Sequence, residues 1–326
     1  MESVDQDPQQ PEAELCRNWA EITEAFDWFP PPRLFFDFEG EVRRDTWIFR
    51  GLKSGYYGLE PSVERAARPK REKWAAFELL LYDEFQSKAR LYTSAGDLPP
   101  LDEKLSWLAL MQHYGVPTRL LDFTYSPYLA LYFSLRARTE KEKKSPLIKV
   151  WAIDGEAVML EAQHISHAAG SEPKPDKGSS RVSHRAGLER SSLGTDRDNL
   201  QFDSLYQTNV VSIALAATGV RRNHFNESGF VALALPSIQN LRLSNQQGVF
   251  LFNGAEGLTF EKSLFRMMAN YKRPWCRLFE VVAEELRNVE KKLFQMNIHD
   301  LTLFPDMQGL AGFINQKIRL HWLAEK

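Results

Sequence analysis

The densest group of reactive side chains in the 326-residue chain lies in "MQHYGVPTRLLDFTYSP", Met111 to Pro127, which holds His113, Arg119, Asp122, Thr124 and Ser126. An imidazole can shuttle a proton near neutral pH; the plainer reading of His113 is a turn residue bonding a backbone carbonyl. Gly115 can supply a positive φ and Pro117 biases Val116 toward extended backbone, so the chain should turn sharply into the next segment. If that segment is a strand, Arg119 and Asp122 point to opposite faces, whereas Asp122 and Thr124 share one. Asp122 or Thr124 would then line a site while Arg119 braces the other side of the sheet. Ser126 ahead of Pro127 reads as a helix N-cap. The free N–H groups and dipole of that helix end would favour an anion near the corner.

Two further stretches carry chemistry. "WIFRG" sets Arg50 at the end of a strand buried on at least one side, with Gly51 breaking it. A guanidinium there needs a partner, either a carboxylate such as Glu60 or the phosphate or carboxylate of a ligand. "RLSNQQGVFLF", Arg242 to Phe252, places Gln246 and Gln247 before a glycine and an apolar run. Those amides could hold ligand hydroxyls or cap a neighbouring strand. There is no GxGxxG, P-loop, HExxH, GxSxG or CxxC. His164 and His167 sit three apart beside a polar stretch, and no metal is expected.

The elements that must position these groups read as follows. Met1 to about residue 15 is acidic and Gln/Pro-rich, a disordered tail by composition. Ala20 to Trp28 is helical and "FPPPR" stops it. Thr46 to Leu52 is a strand. Ser62 to Ser94 and Leu101 to Tyr114 are helices. Arg119 to Thr124 is a buried strand, Ser126 to Arg138 a helix, and Leu147 to Ile153 another strand. His164 to Asn199 is Gly, Ser, Pro and charge without periodicity, a flexible insertion. Strands return at Phe230–Leu235, Arg242–Leu243 and Val249–Phe252, with closing helices at Glu280–Phe294 and Met307–Leu320. The pattern predicts an α+β fold with a central mixed or antiparallel sheet and flanking helices.

Composition, 43% hydrophobic and 12% aromatic, is that of a globular chain with a substantial core. With 41 basic and 43 acidic residues the net charge is −2, which gives no electrostatic case for a nucleic-acid partner. Cys16 and Cys276 are too far apart in sequence to suggest a disulfide framework or a zinc site. No apolar run reaches the ~18 residues of a membrane span and no signal peptide opens the chain. A cytoplasmic protein with no membrane partner is expected.

"TWIFRGLKSGYYGLEPSVER", "WLALMQHYGVPTRLLDFTYSPYLALYFSL" and "NQQGVFLF" resemble the three blocks of the FRG-domain family, whose Phe-Arg-Gly signature matches Phe49, Arg50 and Gly51. "LFPDMQGLAGFI" is similar to its C-terminal end. The resemblance covers roughly Thr46 to Ile314 and implies one FRG domain with flanking helices over residues 16–326, interrupted at about 164–199. A weaker resemblance joins the chain to ADP-ribosyltransferases, which carry an Arg at a first strand end, a Ser-Thr-Ser strand before a helix, and a later strand with a catalytic Glu. It implies that fold, NAD as substrate, and a protein acceptor or hydrolysis. By that likeness Arg50 and Gly51 would hold NAD, with Arg119, Thr124 and Ser126 as further binding residues. Gln247, or Gln246, would stand where the transferases have Glu, with His113 or Asp122 making up for the missing charge. The alternatives are a non-catalytic module for a nucleotide or other phosphorylated ligand, and a protein-interaction scaffold.

Overall fold

A computed structural model of the chain describes residues 11–30, 47–70, 73–93, 98–169, 215, 219–235 and 241–322. Seven strands form one sheet: β1 (Ala13–Cys16), β2 (Trp47–Leu52), β3 (Leu120–Thr124), β4 (Leu147–Asp154), β5 (Val231–Ala234), β6 (Gly248–Asn253) and β7 (Cys276–Val282). Their order is β1-β7-β4-β2-β3-β6-β5. Only β1 on β7 is parallel, and every other pairing is antiparallel. The fold is therefore α+β with a mixed sheet and flanking helices, as the pattern predicts.

Two cores pack on the sheet: β2, β4 and β7 alternate between them, while the buried apolar side chains of β3, β5 and β6 all belong to the first. On β2, Ile48 and Leu52 enter one core while Trp47 and Phe49 enter the other. Trp151 and Ile153 of β4 join the first, and Val150 and Ala152 the second. Period-two side chains and burial on both faces account for the apolar runs that mark these strands. The first core is closed by helices Trp74–Ala89, Lys104–His113, Gly155–Ala168 and Phe260–Met268. Helices Trp19–Asp27, Pro127–Leu135 and Leu286–Gln295 close the second.

Several expectations are corrected. Residues 13–15, read as tail, belong to β1, where Glu14 pairs with Arg277 at 2.6 Å and Cys16 is buried. The start of the supposed insertion, His164–Ala168, ends the helix Gly155–Ala168. Residues 1–10 and 170–199 lie outside the described residues. Ser62 to Ser94 is two helices, Ser62–Ala66 and Trp74–Ala89, because Pro69 cannot continue a helix from Ala67. "RLF" of Cys276–Val282 is a strand that ends before the helix Leu286–Gln295; the apolar stripe over Glu280–Phe294 had merged the two. Arg242–Leu243 lies in a short helix, Leu241–Asn245, its Leu-Arg-Leu alternation being too brief to distinguish strand from helix.

The β2–β3 junction matters most for the site. β2 pairs β4 over six residues and β3 pairs β6 over five, yet β2 meets β3 in a single register pair, Phe49 opposite Thr124. Beyond it the strands part. Gly51 lies under the helix Pro127–Leu135, where a Cβ would come within 1.8 Å of the Ala130 carbonyl oxygen, so only a hydrogen there lets the helix seat against the strand.

Candidate functional site

A cavity of about 590 Å³ opens where β2 and β3 diverge, within the size range of small-molecule sites. β2 and the residues after it contribute Phe49, Arg50, Gly51 and Lys53; β3 contributes Asp122 and Thr124. Gln112 and His113 close it from one side, Phe133 and Arg136 from another, and Arg242, Gln246 and Phe304 from the segments that follow.

Arg50 bridges the split. Its Nη1 donates to the Asp122 carbonyl oxygen at 2.6 Å, a position the unformed β2–β3 ladder leaves vacant, and lies 3.8 Å from the Asp122 carboxylate. Its Nε is buried without an acceptor among the described residues. Burial draws the guanidinium below its ordinary pKa, with Asp122 acting against that; an arginine nonetheless stays charged. Asp122 has its side chain 64% exposed, and its Oδ1 accepts from Gln112 Nε2 at 2.7 Å.

The opposite wall holds two more guanidinium groups. Arg136 is paired through Nε with Asp300 at 2.5 Å and lies over the Phe304 ring at 4.0 Å; Arg242 lies over the same ring at 4.6 Å. Such contacts hold a cation in place without neutralising it. Among the described residues Arg242 and Lys53 form no ion pair. Burial and then Arg136 lower the Arg242 pKa, while Asp306 and Asp122 oppose the shift. Lys53 is lowered by burial and by Arg136, against Glu142. His113 is lowered by burial and by Arg242, against Asp306, which keeps it neutral at pH 7. In the lining itself Arg50, Lys53 and Arg242, none of them in a close ion pair among the described residues, outnumber the one carboxylate, Asp122, while Glu142 acts on Lys53 and Asp306 on Arg242 from outside it.

Of the residues proposed from sequence, Arg50, Gly51, His113, Asp122, Thr124 and Gln246 meet at this cavity, whereas Arg119, Ser126 and Gln247 are not among its lining. Arg119 is buried on the other side, in an ion pair with Glu78 and over the Trp74 ring at 4.6 Å. That is the brace the strand-parity argument assigns it. Ser126 caps its own helix by accepting from Leu129 N. Thr124 Oγ1 donates to the Gln246 carbonyl at 2.8 Å and accepts from Ser126 N at 3.2 Å, so this hydroxyl is committed to the corner. Gln247 occupies the left-handed region at φ 47° and is exposed; its carbonyl accepts from Tyr125 N at 3.1 Å.

Sequence reasoning missed Lys53, Arg136, Arg242 and Phe304. Arg136 falls at the end of a helix, and its place at the cavity shows only in its ion pair with Asp300 and its position over the Phe304 ring. Arg242 in "LRLSN" and Phe304 in "LFPD" carried no spacing that ties them to "FRG".

Residues 45–143 match the family model for the FRG domain, and the chain carries an FRG domain there. This segment supplies β2, β3 and the helices from Ser62 to Leu135, hence the split and most of one cavity wall. Arg242, Gln246 and Phe304 come from beyond it. No curated protein and no solved structure matches the chain.

Proposed function

We propose that the FRG-domain cavity binds an anionic, phosphate-bearing small molecule, with nucleotides and NAD the class to test first. The observation that carries this reading is the surplus of positive charge in the lining of a cavity of about 590 Å³: Arg50, Lys53 and Arg242 against the one lining carboxylate, Asp122, with Glu142 and Asp306 acting on Lys53 and Arg242 from outside the lining. Arg50 has donors to spare, and planar guanidinium groups suit phosphate oxygens. Phe133, half-buried at the cavity wall, adds an apolar face against which a ring could lie. A nucleotide ligand and reduced, free Cys16 and Cys276 suit a cytoplasmic setting.

Turnover of NAD by ADP-ribosyl transfer or hydrolysis is the second reading. Gln247 does not supply it, since its side chain lies outside the cavity lining. The observation favouring it is Asp122, the one carboxylate in the cavity lining, beside Arg50 and bonded to Gln112. A carboxylate so placed could stabilise the positive charge that develops as the nicotinamide–ribose bond breaks. A protein acceptor for the ADP-ribosyl group belongs to this reading alone.

Thermal unfolding in the presence of NAD, ADP-ribose, ADP or inorganic pyrophosphate tests the first reading. A ligand that binds only the folded state at a hundredfold its Kd adds about 2.7 kcal/mol. The expected result is a rise in Tm with at least one of the four, lost in Arg50→Ala and Arg242→Ala and kept in Ser126→Ala. No shift with any of them, or a shift that survives both arginine changes, refutes it. Nicotinamide release from NAD, absent in Asp122→Asn, separates the second reading from the first.

A further inference from the structure

Away from the cavity, the helix Met307–Trp322 has two apolar faces, of which the fold uses one. Gly309 and Gly312 let it sit against the preceding turn: a Cβ at Gly309 would lie 1.9 Å from the Phe304 carbonyl oxygen, and one at Gly312 would lie 2.0 Å from Asp300 Oδ2. On that same side Phe313 stacks on Phe294 at 5.6 Å and Gln316 is buried. On the far side Met307, Leu310, Ile314 and Ile318 are 38–77% exposed, with Ala311 among them. At 3.6 residues per turn these five fall within an arc of about 100°. A helix normally turns one such stripe to its own core, and a second, solvent-facing stripe marks a contact surface.

We propose that this stripe pairs antiparallel with the same helix of a second copy of the chain, about a two-fold axis at Ile314. The charges flanking the stripe choose the occupant and the direction. Asp306 stands just before the helix, while Lys317 and His321 flank the stripe toward its C-terminal end; Arg319 is already paired with Glu290 at 3.0 Å. Antiparallel about Ile314, Leu310 meets Ile318 of the second copy and Met307 meets His321. The Lys317 stem covers Ala311 of the second copy, and Asp306 comes beside that copy's His321. A parallel pair would set Lys317 against Lys317 and Asp306 against Asp306, like charge on like. The two helix dipoles also oppose each other in the antiparallel pair. The arrangement is isologous, as a two-fold dimer requires. One helix stripe buries less than the ~1,200–2,000 Å² of a standard stable interface, so the pairing is weak and concentration-dependent.

Sedimentation velocity of the full chain over a range of micromolar concentrations tests this. The expected result is reversible growth from one chain mass, 37.6 kDa, toward twice that mass. Ile314→Glu should weaken association at least about tenfold, as expected from the burial of an Ile side chain, with an unchanged circular-dichroism spectrum. Ile314→Cys, on the axis, should form a cross-linked dimer under mild oxidation. Met307→Cys should not, because its counterpart lies about 20 Å away along the paired helices. A wild-type chain that stays monomeric throughout, an Ile314→Glu protein that dimerises normally, or self-linking of Met307→Cys each overturns the proposal.

Discussion

At the scale of single residues, Arg50 owes its place to a failure of sheet pairing. Where β2 leaves β3 after Phe49 and Thr124, the Asp122 carbonyl lacks a ladder donor, and the guanidinium supplies one at 2.6 Å. That single bond fixes the side chain and leaves most of its donors unspent. His113 shows how the positive field acts on a neighbour. Burial and Arg242 hold its pKa below the ordinary imidazole value, so the folded chain binds fewer protons than the unfolded one. Acidification below that ordinary value therefore costs stability, and the stability this group retains lies on the neutral side. A bound anion would reverse the sign of the local field and raise the His113 pKa, so binding takes up a proton. Affinity for ADP-ribose, whose diphosphate stays charged, is expected to strengthen as pH falls from 7 toward the depressed value. In His113→Asn it should stay flat. Calorimetric titrations at several pH values, in two buffers of different ionisation enthalpy, measure both effects; an equal pH slope in the variant contradicts the assignment.

At the scale of elements, the corner from Lys104 to Leu135 was largely readable in advance, because its signals are local. Gly115 at φ 82° makes the turn, Ser126 and Pro127 open the helix, and strand parity puts Arg119 opposite Asp122 and Thr124. What sequence could not supply was the partner on the far side: Glu78 comes from another helix and receives both the Arg119 backbone N–H, at 2.6 Å, and its Nε. Side chains exposed by 5% and 2% make this a buried ion pair. Arg119→Met leaves a buried carboxylate without its counter-charge, and the expected loss is about 3–5 kcal/mol of unfolding free energy. Urea denaturation measures it. Ligand affinity of the folded variant should be unchanged, since Arg119 lies outside the cavity lining; a variant of normal stability that no longer binds would make Arg119 a ligand residue instead. The misread elements have a common cause. β7 and the helix Leu286–Gln295 form one nearly continuous apolar pattern, and Leu241–Asn245 is too short for any periodicity to declare itself.

At the scale of the whole molecule, the site is assembled from four separated stretches of chain, and this limits what sequence alone reveals of it. Arg50, His113 and Asp122 stand out because they sit in dense, recognisable segments. Lys53 follows Arg50 directly out of β2, but Arg136 and Arg242 join them only because β6 pairs with β3 and the turn at Phe304 folds back over the helix Pro127–Leu135. The sheet itself is well protected: at its β5 edge the N–H groups of Val231 and Leu233 end on the Met267 and Met159 sulfurs at 3.3 and 3.2 Å, so this edge is covered by helices. The split between β2 and β3 is accordingly the interruption in the sheet that leads to a cavity. Amide hydrogen exchange, with and without whichever of NAD, ADP-ribose, ADP or pyrophosphate most raises Tm, tests this account most directly. The account predicts slowed exchange in two segments distant in sequence, Arg50–Lys53 and Arg242–Gln246, together with Gln112–His113. Protection confined to the N-terminus of the helix Pro127–Leu135, or appearing only away from all three segments, would contradict it.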